Sequence, residues 1–353
     1  MKKYQLLKDL KIIINGKTLY KIRALRDGRN FKEGEIGGFV ESESNLSQDG
    51  NCWIGENAMV FDNAVVLENA FVHGNAKIYD NAKILGNSKV YGNAKVFNNA
   101  KIFNNAVVYN YAVVNDYAKV YGYAIVFNNA WIHGNAEIFG DSNVYHNAWV
   151  YDNAKVFDSA WVYDNAKVFD NAKVYGRARI NGKAKIYDNA EVFDSADVFD
   201  SAQVFNNAKI YDDAAILGTA EIRDNARVFG ETTLSRGIYT SSDFDLKEIM
   251  ECSLGVVPVN SEIILYKKVY KISDGVYSSC YDRSFTYKDG EIVEVDEYEE
   301  NPLISCGKGL HVSTYNYWDK GDTTIACLIK EEDIITCQRG KLRVKRLKVL
   351  GEC

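Results

Sequence analysis

From about residue 52 to 232 the chain repeats every six residues without one insertion. The unit reads Val or Ile, an aromatic, Asp/Gly/Asn, Asn/Ser, Ala and a variable residue, as in AKVFDSAWVYDNAKVFDNAKVYG at 154–176. Every sixth residue from Ile54 to Val228 is Val or Ile, and the position two before it is almost always Ala, with Cys52 and Ser88 among the small substitutes. A period this strict fixes the architecture before any motif search begins. It also leaves no inserted loops, the places where enzymes usually build their sites.

Within a unit, Ala and Val lie two apart and share one face of a strand, while the variable residue and the aromatic share the other. Ala94, Lys95, Val96 and Phe97 read small in, polar out, branched in, aromatic out. The next two, Asn98 and Asn99, are turn formers that tolerate positive φ. A four-residue strand and a two-residue corner, taken three times, close a triangular coil of eighteen residues. The expected fold is therefore an all-β dominated solenoid of about ten coils, roughly 48 Å long at ~4.8 Å per strand.

Residues 1–51 stand outside the repeat. Residues 12–25 read as a hairpin around Asn15-Gly16, a type I′ signal. The segment is expected to cap the solenoid's first coil, whose bare strand edges would otherwise aggregate. Residues 52–232 form the β-helix. Residues 233–353 read as a small α+β C-terminal domain, with a short helix over 244–252 and strands over 262–272, 275–281, 291–295, 324–329 and 341–349.

The chain has 353 residues and a formal net charge of -6, which speaks against a general nucleic-acid binder. No apolar run approaches the ~20 residues that span a bilayer, and Lys8, Asp9 and Lys11 break the opening, so neither a membrane span nor a signal peptide is expected. Seven cysteines without a CxxC pair give no zinc spacing; they read as reduced thiols of a cytoplasmic protein. No metal and no cofactor is expected.

The signature LYKIRALRDG…EGEIGGFVESESNLSQDGNCWI followed by NAxV hexapeptides resembles YdcK-like and phage-associated hexapeptide-repeat proteins over about residues 19–228. The resemblance implies a left-handed parallel β-helix; periodicity alone does not give the hand. The segment CGKGLHVSTYNYWDKGD…CLIKEEDIITC…GKLRVKRLKVLGE resembles an uncharacterised phage-type C-terminal domain. Such relatives are often named acyltransferases, whose general base is a histidine held between neighbouring β-helices. Here His73 and His133 occupy the outward aromatic slot on different faces, His146 sits at a corner, and His311 lies in the C-terminal domain near Cys306 and Tyr315. Nothing in their spacing groups them, and no catalytic residue is assigned.

The outer surface is more informative. One face carries Lys83, Lys101, Lys119, Lys155 and Lys173 beside an aromatic ladder and reads as solvated. The second face has Val113, Trp131 and Trp149 where lysine would be, and the third has Val107, Ile125 and Trp161. Apolar residues stacked on adjacent coils mark contacts. In VYNYAVVNDYAKVYGYA the corner Asn becomes Tyr three times, at Tyr111, Tyr117 and Tyr123, so these tyrosines ring the rod at one level, with Tyr109 and Tyr121 beside them. The expected binding residues are these five tyrosines, Trp131, Trp149, Trp161 and His311. The expected function is a non-enzymatic scaffold of phage or prophage type that uses its mid-rod faces for self-association, a protein partner or a small ligand, in the host cytoplasm if phage-encoded. The alternative is a hexapeptide-repeat acyltransferase acting on a sugar or amine.

Overall fold

A computed structural model describes residues 2–240, 250–251, 254–298, 308–338 and 340–353. The chain forms two compact units, residues 1–209 with 222–224, and residues 210–221 with 225–353.

The repeat folds as a parallel β-solenoid. Each residue pairs with the one eighteen positions on, so Lys95–Val96 lies between Lys77–Ile78 and Val113–Val114. Among the described residues three sheets result, with 14, 11 and 10 strands, or about eleven turns. The count exceeds the repeat's ten coils because flanking segments join the same ladders. Phe39 and Val40 pair in parallel with Met59 and Val60, and Thr233 and Leu234 with Ala215 and Ile216.

The inward slots are sealed. Ala94, Val96, Ala154 and Val156 have no exposed surface, nor do their equivalents on the other coils. Where the alanine slot holds a polar residue, the group is satisfied internally. Ser88 donates to Leu85 O at 2.6 Å, and Ser142 donates to Phe139 O at 2.7 Å.

The regular strand is two residues per side, shorter than the four expected. The reason lies in the corner. Phe97 N–H still bonds along the ladder to Val114 O at 3.1 Å, but its carbonyl turns back to accept Ala100 N–H at 3.3 Å. The residue after the aromatic takes the left-handed conformation, with φ 56° at Asn98 and 55° at Asp158. Asn, Asp and Gly adopt that region at little cost, which explains their hold on this slot. Side chains then run their own ladders. Asp80 Oδ2 accepts Asn98 N–H at 3.1 Å, and Asn135 Nδ2 donates to Asn153 Oδ1 at 3.1 Å, each from one coil to the next.

The N-terminal segment extends one sheet. Tyr4–Ile14 and Lys17–Ala24 form an antiparallel hairpin, and Asn15 and Gly16 both have positive φ, as a type I′ turn requires. Ile36–Val40 pairs antiparallel with the hairpin and parallel with the first coil, converting one pattern into the other. Buried Asn45 covers a neighbouring side, donating to Asp62 O and Ala64 O at 2.9 Å each. Lys3 is fully buried beneath the first coil, its Nζ 2.9 Å from Cys52 O and 3.0 Å from Cys52 Sγ. Burial lowers its pKa.

In the second unit an antiparallel sheet has the order Ile292–Glu294, Arg346–Glu352, Thr323–Lys330, Glu262–Ser273, Leu310–Ser313, Lys341–Val344, Ile334–Gln338. Val276–Ser279 pairs with the Glu262–Ser273 strand and with Thr286–Lys288. The strand expected over 341–349 is two strands, and Thr286–Lys288, Leu310–Ser313 and Ile334–Gln338 have no counterpart in the sequence reading. The helix expected over 244–252 lies outside the described residues except Met250 and Glu251. Val269, Val312, Ile325, Leu342 and Val349 belong to one buried core.

Replacing Val156 by Asp puts an unpaired carboxylate among inward groups with no access to water. Val156→Asp is expected to lower stability by about 3–5 kcal/mol, read as a shift in the urea midpoint. An unchanged midpoint would show that Val156 does not face inward.

Candidate functional site

The aromatics of the outward slot are stacked ring on ring along the solenoid. Tyr91, Tyr109, Phe127 and Tyr145 follow one another at centroid distances of 4.9, 5.0 and 4.8 Å, with interplanar angles of 12° or less. Phe103, Tyr121, Phe139 and Phe157 do the same at 4.7, 4.8 and 4.9 Å. Both faces of Tyr109 and Tyr121 are thus covered by neighbouring rings, and burial raises both phenol pKa values. Neither ring face is left for a ligand. Tyr111, Tyr117 and Tyr123 differ: at the corners they are 63%, 62% and 64% exposed.

The tryptophans separate in the same way. The aromatic ladder of one sheet breaks at Asn115, which is nonetheless buried. Trp131 folds over the gap, its Nε1–H donating to Asn115 Oδ1 at 2.8 Å, and Trp149 meets it edge-on at 4.9 Å. Lys167 then lies 4.8 Å over the Trp149 ring. These two indoles are half-buried and engaged. Trp161, on another sheet, is 44% exposed and touches Tyr145 only edge-on, at 6.2 Å. The lysine face is partly neutralised: Glu137 sits between Lys119 and Lys155 at 2.8 and 3.4 Å, and the Lys119 hydrogen bond holds its carboxyl below the usual range.

His73 and His133 are ladder members. His73 stacks between Phe71 and Tyr91 at 4.5 and 4.8 Å, and His133 lies 4.9 Å from Tyr151, coplanar to 1°. Burial lowers both imidazole pKa values. His146 occupies a left-handed corner with φ 57°. Its Nδ1 is 2.9 Å from Asp164 Oδ1, one coil on. Sequence spacing brings no two histidines together, but it does contain this pair, because 146 and 164 differ by one eighteen-residue coil.

In the second unit His311 stands on the Leu310–Ser313 strand and lines a cavity of about 510 Å³ with Lys267, Phe285, Tyr287, Trp318 and Lys341. His311 has a backbone hydrogen bond with Gly309, and burial followed by the charges of Lys267, Lys341 and Arg343 pushes its pKa down to about 4. Lys267 Nζ donates to His311 O at 2.9 Å and lies 5.5 Å from the Tyr287 centroid; burial lowers its pKa. Of these residues only His311 stands out in the sequence, because the others come from strands and loops that are brought together by long-range pairing. Cys306 lies outside the described residues, and Tyr315 packs edge-on against Tyr266 at 5.2 Å.

Among the described residues Cys52, Cys280, Cys327, Cys337 and Cys353 form no disulfide. Among the described residues no group of three or more His, Cys, Asp or Glu is placed to hold a metal, and no helix is long and apolar enough to cross a membrane. No family model matches the chain, and no curated protein matches its sequence.

The folded His311 titrates near 4 and the unfolded imidazole near its ordinary 6.5. As pH falls the unfolded chain takes up this proton first. Stability from this group is therefore complete above about pH 6.5 and lost between 6.5 and 4. The loss is expected to be about 2 kcal/mol, allowing for partial screening by solvent. Urea unfolding of the parent and His311→Gln at pH 7, 5 and 4 checks this, and the variant's stability should fall less over the same range.

Proposed function

We propose that this protein is a non-enzymatic binding scaffold of the phage or prophage type, a rigid solenoid that offers an aromatic contact surface at mid-length to a protein partner, with self-association as the simplest case. One observation carries the reading. Tyr111, Tyr117 and Tyr123 replace the corner Asn on three successive corners and project into solvent, while ladder rings such as Tyr109 and Tyr121 are spent on stacking. Trp161 adds an exposed indole in a slot that is lysine on many coils. Large aromatics that cost little entropy to fix are the usual anchors of interfaces. The compartment that suits free thiols is the cytoplasm, of a host cell if the chain is phage-encoded.

The repeat supplies its own control. Asn at the corners and Lys in the outward slot already fit this backbone on other coils. The combined variant Tyr111→Asn, Tyr117→Asn, Tyr123→Asn and Trp161→Lys is expected to melt within about 2 °C of the parent, since surface changes usually stay within about 0.5 kcal/mol. It is expected to lose its self-association in analytical ultracentrifugation by a factor of about 100 or more, each aromatic anchor contributing about 1–3 kcal/mol. A parent that is monomeric and loses no partner on mutation would remove the support for this reading.

A second reading, acyl transfer to a sugar or amine, has one observation in its favour. Asp164 is placed to orient the His146 ring, the arrangement a general base requires. No loop projects beside it to bind an acyl donor, since the repeat runs through this region uninterrupted. No acyl-CoA turnover is expected. Turnover that disappears in His146→Ala would favour the enzyme instead.

A further inference from the structure

The cavity beside the Leu310–Ser313 strand, about 510 Å³, falls in the size range of small-molecule sites. Phe285, Tyr287 and Trp318 give it flat apolar walls. The charged residues that line it are engaged by the protein itself. Lys267 donates to His311 O at 2.9 Å, and Lys308 pairs with Glu297. Asp282 accepts the Ser284 N–H and hydroxyl at 2.9 and 2.6 Å, and Lys341 has an interaction of its own.

Two uncharged polar atoms differ from these. Nε1 of Trp318 and Nε2 of His311 are buried and have no hydrogen-bond partner among the described residues. The indole N–H can only donate. The imidazole is fixed as an acceptor by its other nitrogen. Its hydrogen bond with the Gly309 backbone favours the protonated ring, so the ring is the donor; with Nε2 unpartnered, the donating atom is Nδ1. The ring is neutral at pH 7, which leaves a lone pair on Nε2. One buried donor and one buried acceptor therefore belong to the same aromatic-walled cavity. Trp318 is itself braced by neighbouring rings, edge-on to Tyr317 at 4.8 Å and to Tyr281 at 6.5 Å. Leaving both atoms unpaired costs the desolvation of each, and native structures rarely do so without a use for them.

We propose that this cavity binds a small, uncharged, planar heterocycle of the lactam type, a ring that carries both an N–H and a carbonyl. The ligand N–H donates to His311 Nε2, and the ligand carbonyl accepts the Trp318 N–H. The body of the ring lies against Phe285 and Tyr287. The match is one of hydrogen-bonding character and shape, with no charge on the ligand. The site uses only the second unit and is independent of the solenoid surface.

The full chain is titrated calorimetrically with two probes, 2-quinolone and 1-methyl-2-quinolone. They share the fused ring and the carbonyl and differ in the N–H. The unmethylated probe is expected to bind at least about tenfold more tightly, because its methylated relative leaves the His311 nitrogen buried and unpaired. Trp318→Phe, shown to be folded by circular dichroism, keeps a ring and removes the donor, and is expected to weaken 2-quinolone about fivefold or more. His311→Phe, folded by the same criterion, removes the acceptor and is expected to bring the two probes within about twofold of each other. No saturable binding of 2-quinolone up to about 1 mM overturns the proposal, as does equal affinity of the parent for both probes. A folded Trp318→Phe that binds 2-quinolone like the parent, or a folded His311→Phe that keeps the parent's preference, overturns it too. Should neither variant fold, the parent's own preference between the two probes decides.

Discussion

Every coil of this protein depends on one residue per side that can sit at positive φ. That residue, Asn98, Asp158 or Gly122 for example, reverses the chain's course so that the strand of one face ends and the next begins. It also sets the backbone for the coil-to-coil bonds. Asp side chains at this slot accept the N–H of the equivalent residue one coil on, and the following Asn side chains bond to one another. A β-branched or bulky residue there would meet the steric penalty of the left-handed region at every side of every coil. Because the corner is the same length each time, the pairing offset stays at eighteen and the inward Ala and Val always meet their counterparts.

The outward aromatics follow from that register. Rings held one strand spacing apart on the same face come to lie 4.7–5.0 Å from their neighbours over most of two sheets. Stacked pairs add about 0.5–1.5 kcal/mol each beyond the area they bury. They stiffen the sheets but consume the ring faces. A histidine in the same slot, as at His73, becomes one more plate in the stack. Where the ladder breaks at Asn115, a tryptophan from the next coil closes the gap and satisfies the amide. The exposed aromatics of the described solenoid lie outside the ladder, at the corner tyrosines and Trp161.

The C-terminal sheet obeys a different logic. It has no internal repeat, and its core is assembled from strands far apart in the chain, such as Glu262–Ser273 against Thr323–Lys330 and Leu310–Ser313 against Lys341–Val344. That arrangement brings two lysines, a histidine and a tryptophan to one apolar cavity, and it is their shared environment that lowers the His311 and Lys267 pKa values.

The sequence alone determined the solenoid. A six-residue period with one small and one branched apolar residue per unit admits a single inward face, and Asn15-Gly16 sets the first hairpin. It also determined that His73 and His133 stand on different faces, since their offset of sixty residues is not a whole number of coils. Only the tertiary structure decided which aromatics are available. Tyr109 and Tyr111 are both expected binding residues, yet the ladder ring Tyr109 is stacked on both sides and the corner ring Tyr111 is solvated. The same holds for the burial of Lys3 against Cys52, which joins residues 49 positions apart. It holds most of all for the C-terminal cavity. Periodic patterns encode contacts at a fixed offset, whereas long-range antiparallel pairing leaves no such signature, so Lys267, Phe285, His311, Trp318 and Lys341 meet at the cavity only in space.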